Sequence, residues 1–206
     1  MNIQRLLNLP FFYNSFQKIV GESKAKKTIV NEFIRPFPDA KILDIGCGTG
    51  SIRDYLPGNV SYFGIDINSD YIRIAKEKHT VGSEFICADI NKLNDLFPQN
   101  PYFDIAIAIG LLHHLDNNET INLLSNVYLL LKKDGFVITF DCVYIENQSK
   151  IAKFIISKDR GKHVRTFNQY MNLIDDVYYL KKGYLFNDLL RMPYNHCILK
   201  LNKKIR

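Results

Sequence analysis

The sequence predicts an α/β fold with a doubly wound sheet, and three observations carry that expectation. Short apolar segments recur with room for a helix between them. A glycine-rich turn follows the first of them directly. Acidic residues then close the first three strand-helix junctions.

The strand segments are 41–45, 61–67, 84–87, 103–109 and 136–143, rich in Ile, Val and Phe and continuous rather than alternating, as in parallel strands covered on both faces. Between them, 50–56, 69–78, 92–97 and 118–131 read as helices. Asn68 or Ser69 can cap the second and Asp116 or Asn117 the fourth, which ends through Lys132, Lys133 and Gly135. Upstream, 16–34 sets Phe16, Ile19, Val20, Ile29, Val30 and Phe33 at roughly helical spacing and stops at Pro36 and Pro38, predicting an N-terminal helical cap. Downstream, 151–157 and 167–175 read as helices, and 177–186 and 197–201 as two further strands.

A length of 206 residues, 47% of them hydrophobic, fits one domain: a cap over 1–38, a binding core over 40–145, and acceptor-side helices with the last two strands over 146–206. The first ten residues carry a single Arg5 and no signal-like apolar run, and no segment reaches the roughly 20 apolar residues that span a bilayer, so the expectation is a soluble, cytoplasmic protein. Cys47, Cys87, Cys142 and Cys197 lie far apart, without a CxxC pair, beside apolar runs. They read as buried free thiols, with no metal expected. The formal charge of +6 is uneven: residues 146–206 carry 13 Lys or Arg against 5 Asp or Glu, leaving a net of about −2 for the rest. Dispersed as they are, these lysines read first as a solvated surface and second as a field for an anionic partner.

The turn Ile42-Leu43-Asp44-Ile45-Gly46-Cys47-Gly48-Thr49-Gly50 runs from a strand into a helix. There, glycines let a ligand approach the backbone and the helix N-terminus offers unpaired N–H groups. A pyrophosphate loop wants G-x-G-x-x-G/A, but Ser51 stands in the last place, and Asp44 would repel a pyrophosphate. The same carboxylate can accept hydrogen bonds from the ammonium of a methionine-like ligand, which argues for S-adenosylmethionine (SAM) over NAD. Asp66, about 20 residues past Gly46, sits where an acid meets ribose hydroxyls, with Ile67 beside it. Asp89 ends the third strand, where it can accept from the adenine amino group, and Ile90 can flank the ring. Singly, these acids could be strand-end caps or turn residues; as a set at one sheet edge they mark a ligand site.

ILDIGCGTG, GIDIN, ICADI and FDIAIAIGLLHHLDN resemble the successive motifs of class I SAM-dependent methyltransferases over roughly residues 40–145. The resemblance implies a Rossmann-like, doubly wound seven-stranded sheet in the order 3-2-1-4-5-7-6 with strand 7 antiparallel, SAM as methyl donor, and a cofactor set of Asp44, Gly46, Cys47, Gly48, Gly50, Asp66, Ile67, Asp89, Ile90 and Gly110. It also offers Tyr13, in the cap, to enclose the methionine end. The C-terminal half, with DRGKHVRT and LLRMPYNH, is similar to small bacterial methyltransferases of the type-11/type-12 domain kind, associated with surface-polysaccharide or other small-molecule biosynthesis.

The acceptor would meet the sulfonium beside Gly110-Leu111-Leu112-His113-His114. Methyl transfer needs positioning and exclusion of water and, for a hydroxyl or neutral amine, removal of a proton, so His114 and His113 are the candidate catalytic residues, at most one of them facing the substrate. A purely structural role for either histidine stands equally open. Arg160, His163 and Arg165, in a loop between two helices, and Arg191 and Tyr194, before the last strand, are the candidate substrate-binding residues. Such a set suits a carboxylate or phosphate.

The leading expectation is O- or N-methylation of a polar small molecule, such as an anionic sugar or sugar conjugate. The alternatives are an RNA methyltransferase, encouraged by a pI near 9.0 but lacking an Asn/Asp-Pro-Pro-aromatic motif after the fourth strand, and a non-catalytic SAM-binding regulator. Nucleic acid is the less favoured partner, and the oligomeric state stays open.

Overall fold

The computed structural model describes residues 22–98, 101–159, 161–176 and 179–204. Among them, seven strands form one open sheet: β1 (Lys41–Ile45), β2 (Ser61–Asp66), β3 (Ser83–Cys87), β4 (Phe103–Ile109), β5 (Leu131–Tyr144), β7 (Tyr179–Phe186) and β8 (His196–Lys203), with a two-residue β6 (Arg165–Thr166) beside the end of β5. The spatial order is β3-β2-β1-β4-β5-β8-β7. β1 to β5 pair in parallel, and only β8 runs against its neighbours. Apart from β6, this is the expected seven-stranded order, with the last strand antiparallel.

The sheet separates two apolar layers, which is why its central strands are continuously apolar. Ile42, Ile105, Ile107 and Ile138 enter the layer built with Ile29, Val30 and Ile34; Leu43, Ile45, Ala106 and Val137 enter the one built with Leu123, Leu124 and Val127.

The helices are α1 (Glu22–Thr28), which continues as a π-helical segment over Ile29–Ile34, α2 (Ser69–Lys78), α3 (Leu93–Leu96), α4 (Asn117–Leu130), α5 (Lys150–Ser157) and α6 (Phe167–Leu173). Asn68 caps α2 by accepting from the N–H groups of Asp70 and Tyr71. Asp116 and Glu119 form a capping box on α4, and Thr166 and Gln169 form one on α6. No helix among the described residues is long and apolar enough to cross a membrane.

Several local expectations are corrected. Segment 50–56 is not an α-helix but a 3₁₀ turn over Ser51–Tyr55. There the nearly buried Arg53 turns its Nη1 onto the carbonyls of Leu56 and Pro57, and Pro57 cannot extend a helix. Segment 92–97 divides into a 3₁₀ turn, Ile90–Lys92, and the single turn of α3. Helix α4 stops at Leu130, one residue short of its expected end, and β5 begins at Leu131 rather than at Phe136, because Leu131 is already extended and pairs with Phe103. Cys87 is exposed, since β3 is an edge strand, whereas the free Cys47, Cys142 and Cys197 are buried. The part of the predicted cap before residue 22, with Tyr13, lies outside the described residues, as does Arg160.

Candidate cofactor and acceptor site

The turn after β1 is held from beneath: the N–H groups of Gly46 and Cys47 both donate to the carbonyl of Ile65, at 2.8 and 3.0 Å. Gly48 has φ +54°, and a Cβ there would meet nothing within 4 Å, so its face opens onto free space. Gly50, at φ +69°, is required for a second reason, since a Cβ would stand 2.9 Å from the Phe85 ring.

Asp44 lies beneath this loop, almost fully buried, and accepts a hydrogen bond from the Tyr62 hydroxyl. Burial pushes its carboxyl up to about 7, partly opposed by the Tyr62 bond; the Asp66 charge adds to the rise and Lys26 counters it. Asp66 follows at the end of β2, with Oδ2 accepting from Gly48 N–H at 2.9 Å and Oδ1 from Asn68 N–H at 2.8 Å. Ile67, next to it, is 73% exposed, an apolar side chain with no core to enter. Asp89, after β3, accepts from the backbone and side-chain nitrogens of Asn91, both at 2.9 Å, with Ile90 half-buried beside it. Cys47 is buried in the loop, and burial raises its thiol well above the usual range. A buried acid, an open glycine face, a second acid and an exposed aliphatic side chain thus follow one another along the carboxyl edge. This donor and acceptor set fits the ammonium, ribose and adenine of SAM.

At the next edge position Gly110 takes φ +68°, and its N–H donates to Phe140 O at 2.7 Å. A Cβ on Gly110 would stand 3.8 Å from His113 Cε1, so the histidine pair directly adjoins the end of β4. The two histidines differ sharply: His113 is buried and His114 is exposed, with ring centroids 4.2 Å apart. His113 Nδ1 lies 2.9 Å from Asp141 Oδ1, and its Nε2 lies 3.3 Å from Asp159 Oδ1. Burial lowers the affinity of the ring for a proton, but the bonds and charges of the two carboxylates outweigh it and hold the imidazole up at about 9. Asp159 is correspondingly held well below the usual carboxylate range; burial alone would raise it, but His113, the Gly161 N–H and the Tyr194 hydroxyl outweigh that.

The other candidates divide. Tyr194 joins this cluster, its hydroxyl donating to Asp159 Oδ2 at 2.8 Å. His163 is half-buried and is tied to the site through its backbone N–H, which donates to His113 O at 2.9 Å. Arg165 is buried, and its five N–H bonds end on Leu112 O, Leu115 O, His163 O and twice on Asn117 Oδ1, at 2.7–3.0 Å. It clamps the loop after β4 and has no donor left for an acceptor anion. Arg191 is exposed.

Sequence reasoning passed over Asp141, Tyr62 and His196. Asp141 is almost fully buried in β5, and an acid inside an apolar strand such as Phe140-Asp141-Cys142 costs free energy unless partnered, which was its signal. His196 is buried at the start of β8 and stacks on Phe140 with centroids 4.5 Å apart. Burial, with the nearby His113 charge, lowers its imidazole to about 3.

Comparison with known proteins agrees with this architecture. Residues 42–135 match a family described as a methyltransferase domain. Cyclopropane-fatty-acyl-phospholipid synthase of Escherichia coli (strain K12) is 25% identical over 107 residues, covering 50% of this chain and 26% of that protein. An uncharacterized methyltransferase of Anoxybacillus flavithermus is 26% identical over 136 residues, covering 66% of this chain and 62% of its own length. The chain therefore spans about a quarter of the first of these relatives and less than two thirds of the second. The plantazolicin methyltransferase BpumL, in complex with a triazolic desmethyl analogue and SAH, superimposes with a TM-score of 0.69 at 15% identity, over 93% of this chain and 88% of that one. Fold and edge motifs define a Rossmann-like SAM-binding domain. With the match over residues 42–135, the chain is similar to class I SAM-dependent methyltransferases in its fold and its edge motifs.

Proposed function

We propose that this chain transfers a methyl group from SAM to a hydroxyl or amine of a small polar acceptor, with sugars and sugar conjugates as the first class to test. The observation that carries the reading is the continuity of the carboxyl edge. Asp44, Asp66 and Asp89 stand at the ends of β1 to β3, and the histidine–carboxylate cluster stands at the ends of β4 and β5, one strand further along.

SAM, when bound, supplies a methyl carbon already activated for displacement. The rest falls to the protein. Asp44 receives the cofactor ammonium, Asp66 the ribose hydroxyls and Asp89 the adenine amino group, while Ile67 and Ile90 cover the ring faces. Gly110 lets the acceptor approach the end of β4. The exposed His114 is the candidate base for an incoming O–H or N–H, while Asp159, 27% exposed in its side chain and held well below the usual carboxylate range, is the poorer proton acceptor of the two. His113, held protonated between Asp141 and Asp159 near neutral pH, positions them. A neutral or cationic acceptor group suits these two carboxylates better than the anion first expected from the arginines. The basic excess of the last third supports the small-molecule reading over RNA, since Arg165, Lys181, Lys203 and Lys204 all donate to backbone carbonyls of the protein itself.

Calorimetry with SAM and with its demethylated product SAH, followed by transfer of a labelled methyl group to a panel of sugars and amines, tests this reading. We expect both cofactor forms to bind. Failure of both to bind would overturn the enzymatic and the regulatory readings together.

A further inference from the structure

The geometry points to a divalent-cation site at the acceptor end, formed by His113, His114 and Asp159, that takes a first-row transition ion such as Zn²⁺. One ligand atom from each of the three, His113 and His114 ring nitrogens and an Asp159 carboxylate oxygen, can be chosen so that all lie within 4.8 Å of one another. His113 Nε2 and Asp159 Oδ1 are 3.3 Å apart. Two ligands at the usual metal distance of about 2.1 Å and with that separation subtend roughly 105° at the ion, close to a tetrahedral angle. An ion can thus replace the proton between them with both side chains where they are.

The surroundings are those of a ligand set rather than of a chance ion pair. His113 places its other ring nitrogen, Nδ1, 2.9 Å from Asp141 Oδ1, and Asp141 is itself almost fully buried, the arrangement by which a carboxylate fixes the tautomer and orientation of a metal-binding imidazole. Asp159 is oriented in the same way: Tyr194 O–H donates to Oδ2 at 2.8 Å and Gly161 N–H to Oδ1 at 2.9 Å, leaving Oδ1 a further lone pair on the His113 side. His114 is exposed, and one of its ring nitrogens lies within 4.8 Å of both other ligand atoms. Two imidazoles and one carboxylate suit zinc, cobalt or iron in the divalent state better than magnesium or calcium, which prefer oxygen alone. The His113 ring adjoins Gly110, where a Cβ would stand 3.8 Å from Cε1. The absence of metal was expected from the cysteine spacing, but these ligands come from two loops that only the fold brings together.

The catalytic role of such an ion rests on the methyltransferase reading. An acceptor hydroxyl bound to it would lose its proton to solvent water near neutral pH, the ion withdrawing electron density from oxygen; methyl transfer would then form the new O–C bond and break the S–C bond, whose electron pair leaves on the sulfur of SAH. His114 then serves as a ligand and its lone pair is not available to take up a proton, so the two roles exclude each other.

The test is calorimetric titration of the full chain, stripped with a chelator, with Zn²⁺ alone and with Co²⁺ alone, and in a separate cell with SAH. We expect one equivalent of each metal, bound at least tenfold more weakly by His114→Ala and by Asp159→Asn, and as tightly by Cys87→Ser, which removes the exposed thiol. His114→Ala should melt as the parent does without metal, so its loss of binding cannot be ascribed to unfolding. Absence of stoichiometric binding, or binding that is lost in Cys87→Ser and kept in the other two, overturns the site. SAH binding without metal binding removes this inference alone; loss of SAH binding strikes the methyltransferase reading instead.

Discussion

Asp141 Oδ1 accepts from the backbone N–H of His113 at 3.2 Å and lies 2.9 Å from Nδ1 of the same residue, so one buried oxygen fixes both the main chain and the ring of that histidine. Removing one partner of a buried charge pair leaves the other uncompensated, at a cost of about 3–5 kcal/mol. Asp141→Ala should therefore shift the urea midpoint of the metal-free protein downward by an amount of that order. A midpoint within error of the parent would show that the pair contributes nothing to folding.

Asp44 gives a pH dependence with a definite sign. Its carboxyl is raised in the folded state from 3.8 to about 7, so its contribution to stability is full below the unfolded value and is lost as pH rises through 7. Asp44→Asn should raise the melting temperature most at pH 8, less at pH 5, and little below pH 4. The same variant should bind SAM roughly 10- to 100-fold more weakly, the loss expected for a hydrogen bond to a charged group. In the parent, SAM binding should release a proton below pH 7, read as a buffer-dependent enthalpy.

Gly161 closes the acceptor loop over His113. A Cβ there would lie 2.1 Å from His113 Cδ2 and 2.7 Å from its carbonyl oxygen, so Gly161→Ala must displace loop or ring. Overpacking of this kind costs about 1–3 kcal/mol. We expect reduced turnover with SAH affinity intact, because the three cofactor acids stand on other strands. Equal losses of both would place the loop's effect on the whole edge.

Ile67 is exposed at the end of β2, and its substitution tests the adenine face in isolation. Ile67→Ser should leave the melting temperature within a degree or so, since exposed positions usually change stability by under about 0.5 kcal/mol. It should weaken SAM about tenfold, since burying part of an aliphatic side chain against a ligand is worth about 1–2 kcal/mol. Unchanged affinity would move the adenine elsewhere.

Arg165→Lys removes a buried fork of five hydrogen bonds that a single ammonium cannot replace. Thermal denaturation should show a large destabilisation, whereas Arg191→Ala, on an exposed residue, should melt as the parent does.

The strands and the acidic carboxyl edge were legible in the sequence because they rest on local signals, and the sheet order followed from the family resemblance. Apolar runs marked the strands, Gly46-x-Gly48-x-Gly50 marked the turn, and Asp66 and Asp89 each closed a strand. The acceptor side was less so. Arg165 reads in sequence as a basic residue of an exposed turn, and only the return of its loop over Leu112 and Leu115 shows where its donors go. His113 and His114 are adjacent and chemically alike in sequence; which one turns inward is decided by Asp141 and Asp159, 28 and 46 residues beyond His113. The short 3₁₀ turn at Ser51–Tyr55 escaped for a similar reason, since the packing of Arg53 against Ser83 and the carbonyls of Leu56 and Pro57 overrides helical spacing there.

Each oxygen of Asp66 already holds a backbone N–H, one from the glycine loop and one from the start of the next helix. The conformational entropy of ordering that loop is lost during folding, before any cofactor arrives. Cofactor association should then be fast, nearly insensitive to viscosity-dependent loop closure, and accompanied by a heat-capacity change no larger than burial of the ligand itself requires.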